Sequence, residues 1–86
     1  MTQPQLLDTV ALLNDLPIDR LTLVEPAYAA ISVLPSGLIG TIVEVYEQEQ
    51  DQLYRVEFSD RDGCEYALAI LKPTEILVLR SELVAS

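Results

Sequence analysis

GTIVEVYEQEQDQLYRVEFSDRDG, residues 40–63, decides how this chain folds. In GTIVEVY the β-branched residues dominate, and strict alternation places Thr41, Val43 and Val45 on one face with Ile42, Glu44 and Tyr46 on the other. In LYRVEFS, Tyr54, Val56 and Phe58 share one side while Arg55 and Glu57 share the other. The two runs read as a hairpin in which Val43 and Val45 meet Val56 and Phe58 inside, with Glu44 and Glu57 flanking Arg55 outside. The link between them, EQEQDQ (Glu47 to Gln52), lacks the Asn-Gly signature of a two-residue turn and is expected to be a mobile six-residue tip.

Working outward, SDRDG closes the second strand. Asp60 or Asp62 can bond its own local backbone there, and Gly63 can take positive φ. CEYALAIL continues the meander, with Tyr66, Leu68 and Ile70 expected inward and Glu65, Ala67 and Ala69 outward. Lys72-Pro73 then breaks the pattern. Pro73 suits the first position of a single helical turn, and Ile76 to Leu79 read as a short last strand. Toward the N-terminus, LLDTVALLNDL (Leu6 to Leu16) fits a helical stripe and a strand equally well, and Pro17 ends either one. Ile18 to Ser36, with Pro26 and Pro35, reads as a long first loop with a helical turn near Ala27 to Ile31.

These elements predict a mainly β domain: a small SH3-like barrel of four to five antiparallel strands, with a long first loop and a short helical turn before the last strand. Closure would remove the open edges that such apolar strands otherwise expose. The 86 residues leave room for one domain and one core, with frayed ends at about 1–5 and 81–86. Half of the residues are hydrophobic and 22 % charged, a balance that argues for a packed globule rather than a disordered chain.

Fourteen acidic residues face only five basic ones, for a net charge of -9. Such a field repels phosphate backbones and anionic lipid and favours either plain solubility or a basic partner. With Cys64 as the single cysteine, no intrachain disulfide can form, so a reducing, cytoplasmic setting is expected. No stretch reaches the length of a membrane span, and the N-terminus lacks the pattern of a signal peptide, so the mature chain is expected to be the whole chain.

The sequence contains no histidine, which removes Ser-His-Asp and Cys-His catalysis, and one cysteine does not supply the usual zinc ligand sets. Neither phosphate-cradling glycine motif is present. Cys64 lies between Asp62 and Glu65, whose charges disfavour a thiolate. Asp60-Arg61-Asp62-Gly63 fails the EF-hand register, since the first ligand position would fall on Phe58 and the twelfth on Ala69. No catalytic, cofactor or metal site is expected, and the chain is expected not to be an enzyme.

A surface remains. Glu44, Glu57 and Glu65 share the expected outward face of three neighbouring strands, and Asp60 and Asp62 sit in the adjoining turn. Tyr46 joins Glu44 on that face, where tyrosine suits an interface anchor. These six residues form the expected partner-binding patch for a basic protein surface, with steering that weakens as salt screens it. Unpaired strand edges would also permit homo-oligomers.

The motifs LLDTVALLNDLP (Leu6 to Pro17), GLIGTIVEVY (Gly37 to Tyr46), YRVEFSDRDGCEYAL (Tyr54 to Leu68) and LKPTEILVL (Leu71 to Leu79) together resemble the domain-of-unknown-function 4926 family, short acidic bacterial proteins frequent in cyanobacteria. The resemblance carries no catalytic residues over. It implies a small partner protein, of an antitoxin or immunity type, encoded beside toxin-like or uncharacterised neighbours. The longer Ile18 to Ser36 segment departs from the family's commoner pattern. GTIVEV is also similar to the strand of KOW-type nucleic-acid-associated domains, a use the charge opposes. LVEPAYAAISVLPSGLIGTIVEV is similar to SH3-like accessory subunits of photosynthetic electron-transfer complexes, held in a larger assembly by apolar contacts around Val24 to Leu38.

Overall fold

The computed structural model describes residues 4–24, 32–48 and 51–79. Eight strands are found among them: β1 (Thr9–Leu12), β2 (Leu16–Pro17), β3 (Leu21–Val24), β4 (Val33–Leu34), β5 (Ile39–Gln48), β6 (Asp51–Ser59), β7 (Glu65–Leu71) and β8 (Ile76–Val78). Two 3-10 turns, Ile18–Arg20 and Pro73–Glu75, precede β3 and β8. The helical turn expected before the last strand is therefore present, with Pro73 opening it.

The expected meander is the centre of the molecule. β5, β6 and β7 pair in succession, and the antiparallel sheet runs in the order β3-β7-β6-β5-β1-β8. It is not closed into a barrel. β3 adds to the outside of β7 and β8 to the outside of β1, and these two edges do not pair with each other. A second, two-stranded sheet joins β2 to β4 and contributes Leu16 and Leu34 to the core.

The ambiguity over residues 6–16 resolves as strand: β1 pairs on both sides, Val10 with Gly40 of β5 and with Val78 of β8. Its apolar neighbours alternate between two strand faces rather than forming a helical stripe. Pro17 ends a strand as expected, but it is the short β2 and not β1: it pairs with Val33 of β4, where its missing N–H is tolerated at an edge. The long first loop is also shorter than expected, because Ile18–Arg20 and Leu21–Val24 are ordered and β3 pairs with β7. The helical turn expected near Ala27 to Ile31 lies outside the described residues.

The hairpin ladder extends to Gln48 opposite Asp51, so the link is positions 49–50 and not six residues. Both flanks are polar, yet their backbone groups continue the ladder once the inner rows set the register.

Two expected face assignments change. The register shifts between Ile42 and Glu44, so Val43 is an extra residue in β5. This bulge turns Ile42 inward opposite Val56, while Val43 is only half-buried. Val45, beyond the bulge, packs against the core as expected, but opposite Tyr54 rather than Val56 or Phe58.

On β7 the core face carries Ala67, Ala69 and Leu71, which pair with Phe58, Val56 and Tyr54. Beside Phe58 and Val56 the bulk on β6 is matched by small Ala67 and Ala69, whereas Leu71 fits opposite Tyr54. Leu68 and Ile70 take the opposite face, opposite Glu57 and Arg55. Tyr66 keeps its expected place in the core, helped by a register shift between Phe58 and Ser59.

The Ser59–Glu65 turn forms as the sequence predicts. One Asp60 carboxylate oxygen accepts the N–H groups of Asp62 (2.9 Å) and Cys64 (3.0 Å), and Gly63 has φ +83°.

Arg20 fixes the first 3-10 turn to the second. Its guanidinium donates to both carboxylate oxygens of Glu75 at 3.0 Å, and Glu75 also accepts the Lys72 N–H at 2.9 Å. The Arg20 hydrogen bond holds the Glu75 carboxyl below the usual glutamate range, against an opposing desolvation effect. A depressed folded pKa gives stability that is fully present above the ordinary value of 4.5 and lost as pH falls through the lower folded value. Arg20 is 42 % exposed, so the pair is worth about 1 kcal/mol or less. In urea unfolding from pH 7 to pH 3, Glu75→Gln should be less stable than the parent at neutral pH. The gap should close on the acid side of 4.5; a gap constant with pH would contradict this assignment.

Candidate protein-binding surface

The bulge in β5 decides where the acidic residues point. It sets Glu44 opposite Arg55 on the outer face of the meander, and Glu57 lies two residues further along β6 on the same side. Arg55 is thus flanked as the alternation predicts. The contact is weak: Arg55 Nη1 lies 4.0 Å from a Glu44 carboxylate oxygen, and both side chains are well exposed. Tyr46 follows on this face, half-buried opposite Leu53.

The six expected residues do not form one compact cluster. Glu44 and Tyr46 stand toward the hairpin end. Asp60, Asp62 and Glu65 stand at the opposite end of β6, with Glu57 between the groups. From Leu53 to Ser59 is six residues of strand, or roughly 20 Å. Between these ends apolar residues of β7 sit beside the charges: half-buried Ile70 lies opposite Arg55 and buried Leu68 opposite Glu57.

Asp60 has a structural role as the acceptor of the turn, whereas Asp62 is exposed on it. Glu65 is half-buried opposite Ser59.

The hairpin end has further structure. Tyr54 is buried in the core, and its hydroxyl reaches Gln52 Oε1 at 2.7 Å. Gln52 in turn donates to Glu47 at 3.4 Å. Burial first, and the Glu47 charge second, push the Tyr54 phenol above its usual value. Beside this relay a groove of about 410 Å³ separates Asp51, Gln52 and Leu53 from Lys72, Pro73 and Thr74. Acidic, amide and apolar groups at the end of a projecting two-stranded arm meet the basic Lys72 across this groove.

A second surface was missed in the sequence. Leu13, Ile39, Leu77 and Leu79 are all large, apolar and at least 40 % exposed. The signal was present in the uninterrupted apolar runs VALL (10–13) and ILVL (76–79), which have apolar residues on both strand faces although only one face meets the core. Of the apolar segment Val24 to Leu38, suggested as a contact with a larger assembly, positions 25–31 lie outside the described residues; Leu34 is buried in the core, Leu38 packs against it, and Val33 is exposed.

The fold and these surfaces define a small, mainly antiparallel β domain with an acidic arm and an open sheet. Residues 6–78 match the family model described as "Domain of unknown function (DUF4926)", and the chain belongs to that family. No curated protein and no solved structure matches the chain. Among the described residues, no helix is long and apolar enough to cross a membrane.

Proposed function

We propose that this chain is a non-enzymatic, cytoplasmic binding module of bacteria, related to SH3-like domains, that docks a basic segment of a partner protein along its β5–β6 arm. The SH3-like reading draws support from the strand order β8-β1-β5-β6-β7 and from the 3-10 turn immediately before the last strand. The observation that carries the docking reading is the groove beside the arm. Asp51 and Leu53 line its arm side, across from Lys72, and Tyr46 and Glu44 continue the acidic side away from that lysine on the neighbouring strand. Carboxylates beside apolar surface suit Lys or Arg side chains, whose stems pack while their charged ends pair. A small acidic protein that covers a basic surface fits an antitoxin or immunity role.

The test is affinity capture from the native host with the parent chain and with Glu44→Lys/Asp51→Lys, leaving Asp60 in place because it holds its turn. The parent should retain a basic protein whose binding weakens as salt rises, and the charge-reversed variant should lose it. Capture of the same protein with unchanged affinity by both chains would remove the arm as the docking surface. Turnover abolished by one side-chain change would overturn the non-enzymatic reading.

A further inference from the structure

We infer that the apolar outer face of β8, β1 and the start of β5 is the interface of a symmetric homodimer, two copies packing this face against each other. The strand register builds the face row by row. Ala11 pairs with Ile39 on one side and Leu77 on the other, so Leu77, Ala11 and Ile39 form one cross-strand row. In the next row Thr9 pairs with Thr41, and the Leu79 N–H donates to the Thr9 carbonyl at 2.8 Å. Leu13, two residues beyond Ala11, extends the face in the other direction. The alternate positions Val10, Leu12 and Ile76 are in the core, which leaves this second set facing outward.

Charge favours a second copy over a basic partner as the occupant. The β8, β1 and β5 positions of these two rows, and Leu13, carry no ionisable side chain, although the chain has a net charge of -9. A basic partner gains nothing here, whereas a second copy can approach without setting carboxylates against each other. Glu57 lies one strand beyond the face, next to Thr41, and Glu75 at its corner is already held by Arg20.

The face is also self-complementary, with small Ala11 between larger Ile39 and Leu77. A two-fold axis along β1 lays the β8 of one copy over the β5 of the other. Leu77 then meets Ile39 twice and Ala11 meets its own copy, an isologous contact. The exposed parts of Leu13, Ile39, Leu77 and Leu79 supply on the order of 400 Å² per copy. A partner in a standard interface contributes roughly 800 Å², so the dimer is weak and concentration-dependent.

Sedimentation equilibrium of the full chain, from about 1 to several hundred micromolar, tests this inference. The mean mass should climb from one copy toward two. Raising salt from about 0.05 to 0.5 M should strengthen the association, since screening removes the repulsion between two acidic chains while the contact itself is apolar. That sign is opposite to the one expected for a basic partner on the arm, so the two proposals fail independently. Leu77→Lys and Ile39→Lys should each weaken the dimer roughly tenfold or more. Both sites are exposed, so each variant should keep the parent's unfolding midpoint. Leu77→Thr, the milder change, should weaken the dimer less. A monomer at every concentration and salt would overturn the inference and leave the face to the chain beyond Leu79 or to another protein. A dimer that persists in both lysine variants would overturn it as well.

Discussion

Phe58→Ala should remove about 3–5 kcal/mol of stability, the largest loss expected from a single side chain in this domain. Phe58 is fully buried, and the positions beside it are among the smallest in the sheet. Ala67 pairs with it on β7, and a methyl group placed on Gly40 of β5 would touch its ring at 3.0 Å. Neither neighbour has atoms that could swing into the space the ring leaves. The flanking strands are held by their ladders, so the cavity cannot collapse cheaply. A domain of this length is expected to be stable by roughly 4–13 kcal/mol, so this loss leaves a small margin or none. Thermal unfolding should show a midpoint lower by more than about 12 °C, or no cooperative transition. Phe58→Leu, which keeps most of the volume, should cost clearly less. If both substitutions gave midpoints within a few degrees of the parent, Phe58 would not be the centre of the core.

The same packing explains which parts of the fold were legible from the sequence. The inward set on β6 followed directly from alternation, because Tyr54, Val56 and Phe58 are bulky and their neighbours are charged. On β7 the rule that bulk points inward held for Tyr66 but put Ala67 and Ala69 on the wrong face, and Leu68 is buried on the side away from the main core cluster. Ala67 and Ala69 look like weak surface residues in isolation, but they are the side chains that fit beside Val56 and Phe58. The β5 bulge was hidden for another reason: an extra residue leaves no mark in a run as uniformly β-branched as TIVEV, and it appears only against the register of β6. β3 was lost to the proline-rich composition of its surroundings, since its partner β7 lies more than forty residues away.

The candidate surfaces divide along the same line. Glu44, Tyr46 and Glu57 were placed on the outer face by alternation alone. The groove beside the arm depends on where the Pro73–Glu75 turn lands, and the apolar face of β1 and β8 depends on strand pairing. Neither is a local property of the chain. The acidic arm and the neutral face differ in the association they favour, so the two proposals, a basic partner on the arm and a second copy on the face, use separate surfaces.

Gly40→Ala should cost about 1–3 kcal/mol although it adds only one carbon, and the cause is crowding rather than backbone conformation. A Cβ at this position would lie 2.6 Å from Val56 Cγ1, 3.0 Å from the Glu57 carbonyl oxygen and 3.0 Å from Phe58 Cδ1. Val56 cannot rotate away freely, because β-branching restricts its χ1 and the side chain is fully buried. The Glu57 carbonyl belongs to the backbone of β6 and moves only with the strand. Gly37 and Gly63 form the contrast. Both have positive φ, at +87° and +83°, and a Cβ at either meets nothing within 4 Å. Alanine there strains the backbone by about 1–2 kcal/mol without touching the core. A double-mutant cycle separates the two causes. Against a Val56→Ala background the closest contact is gone, so Gly40→Ala should cost at least about 0.5 kcal/mol less than it does in the parent. Gly63→Ala should cost the same in both backgrounds, because its strain lies in its own backbone. If the Gly40 penalty were equally insensitive to Val56, or if Gly40→Ala were neutral, β5 and β6 would not approach as closely as their register requires.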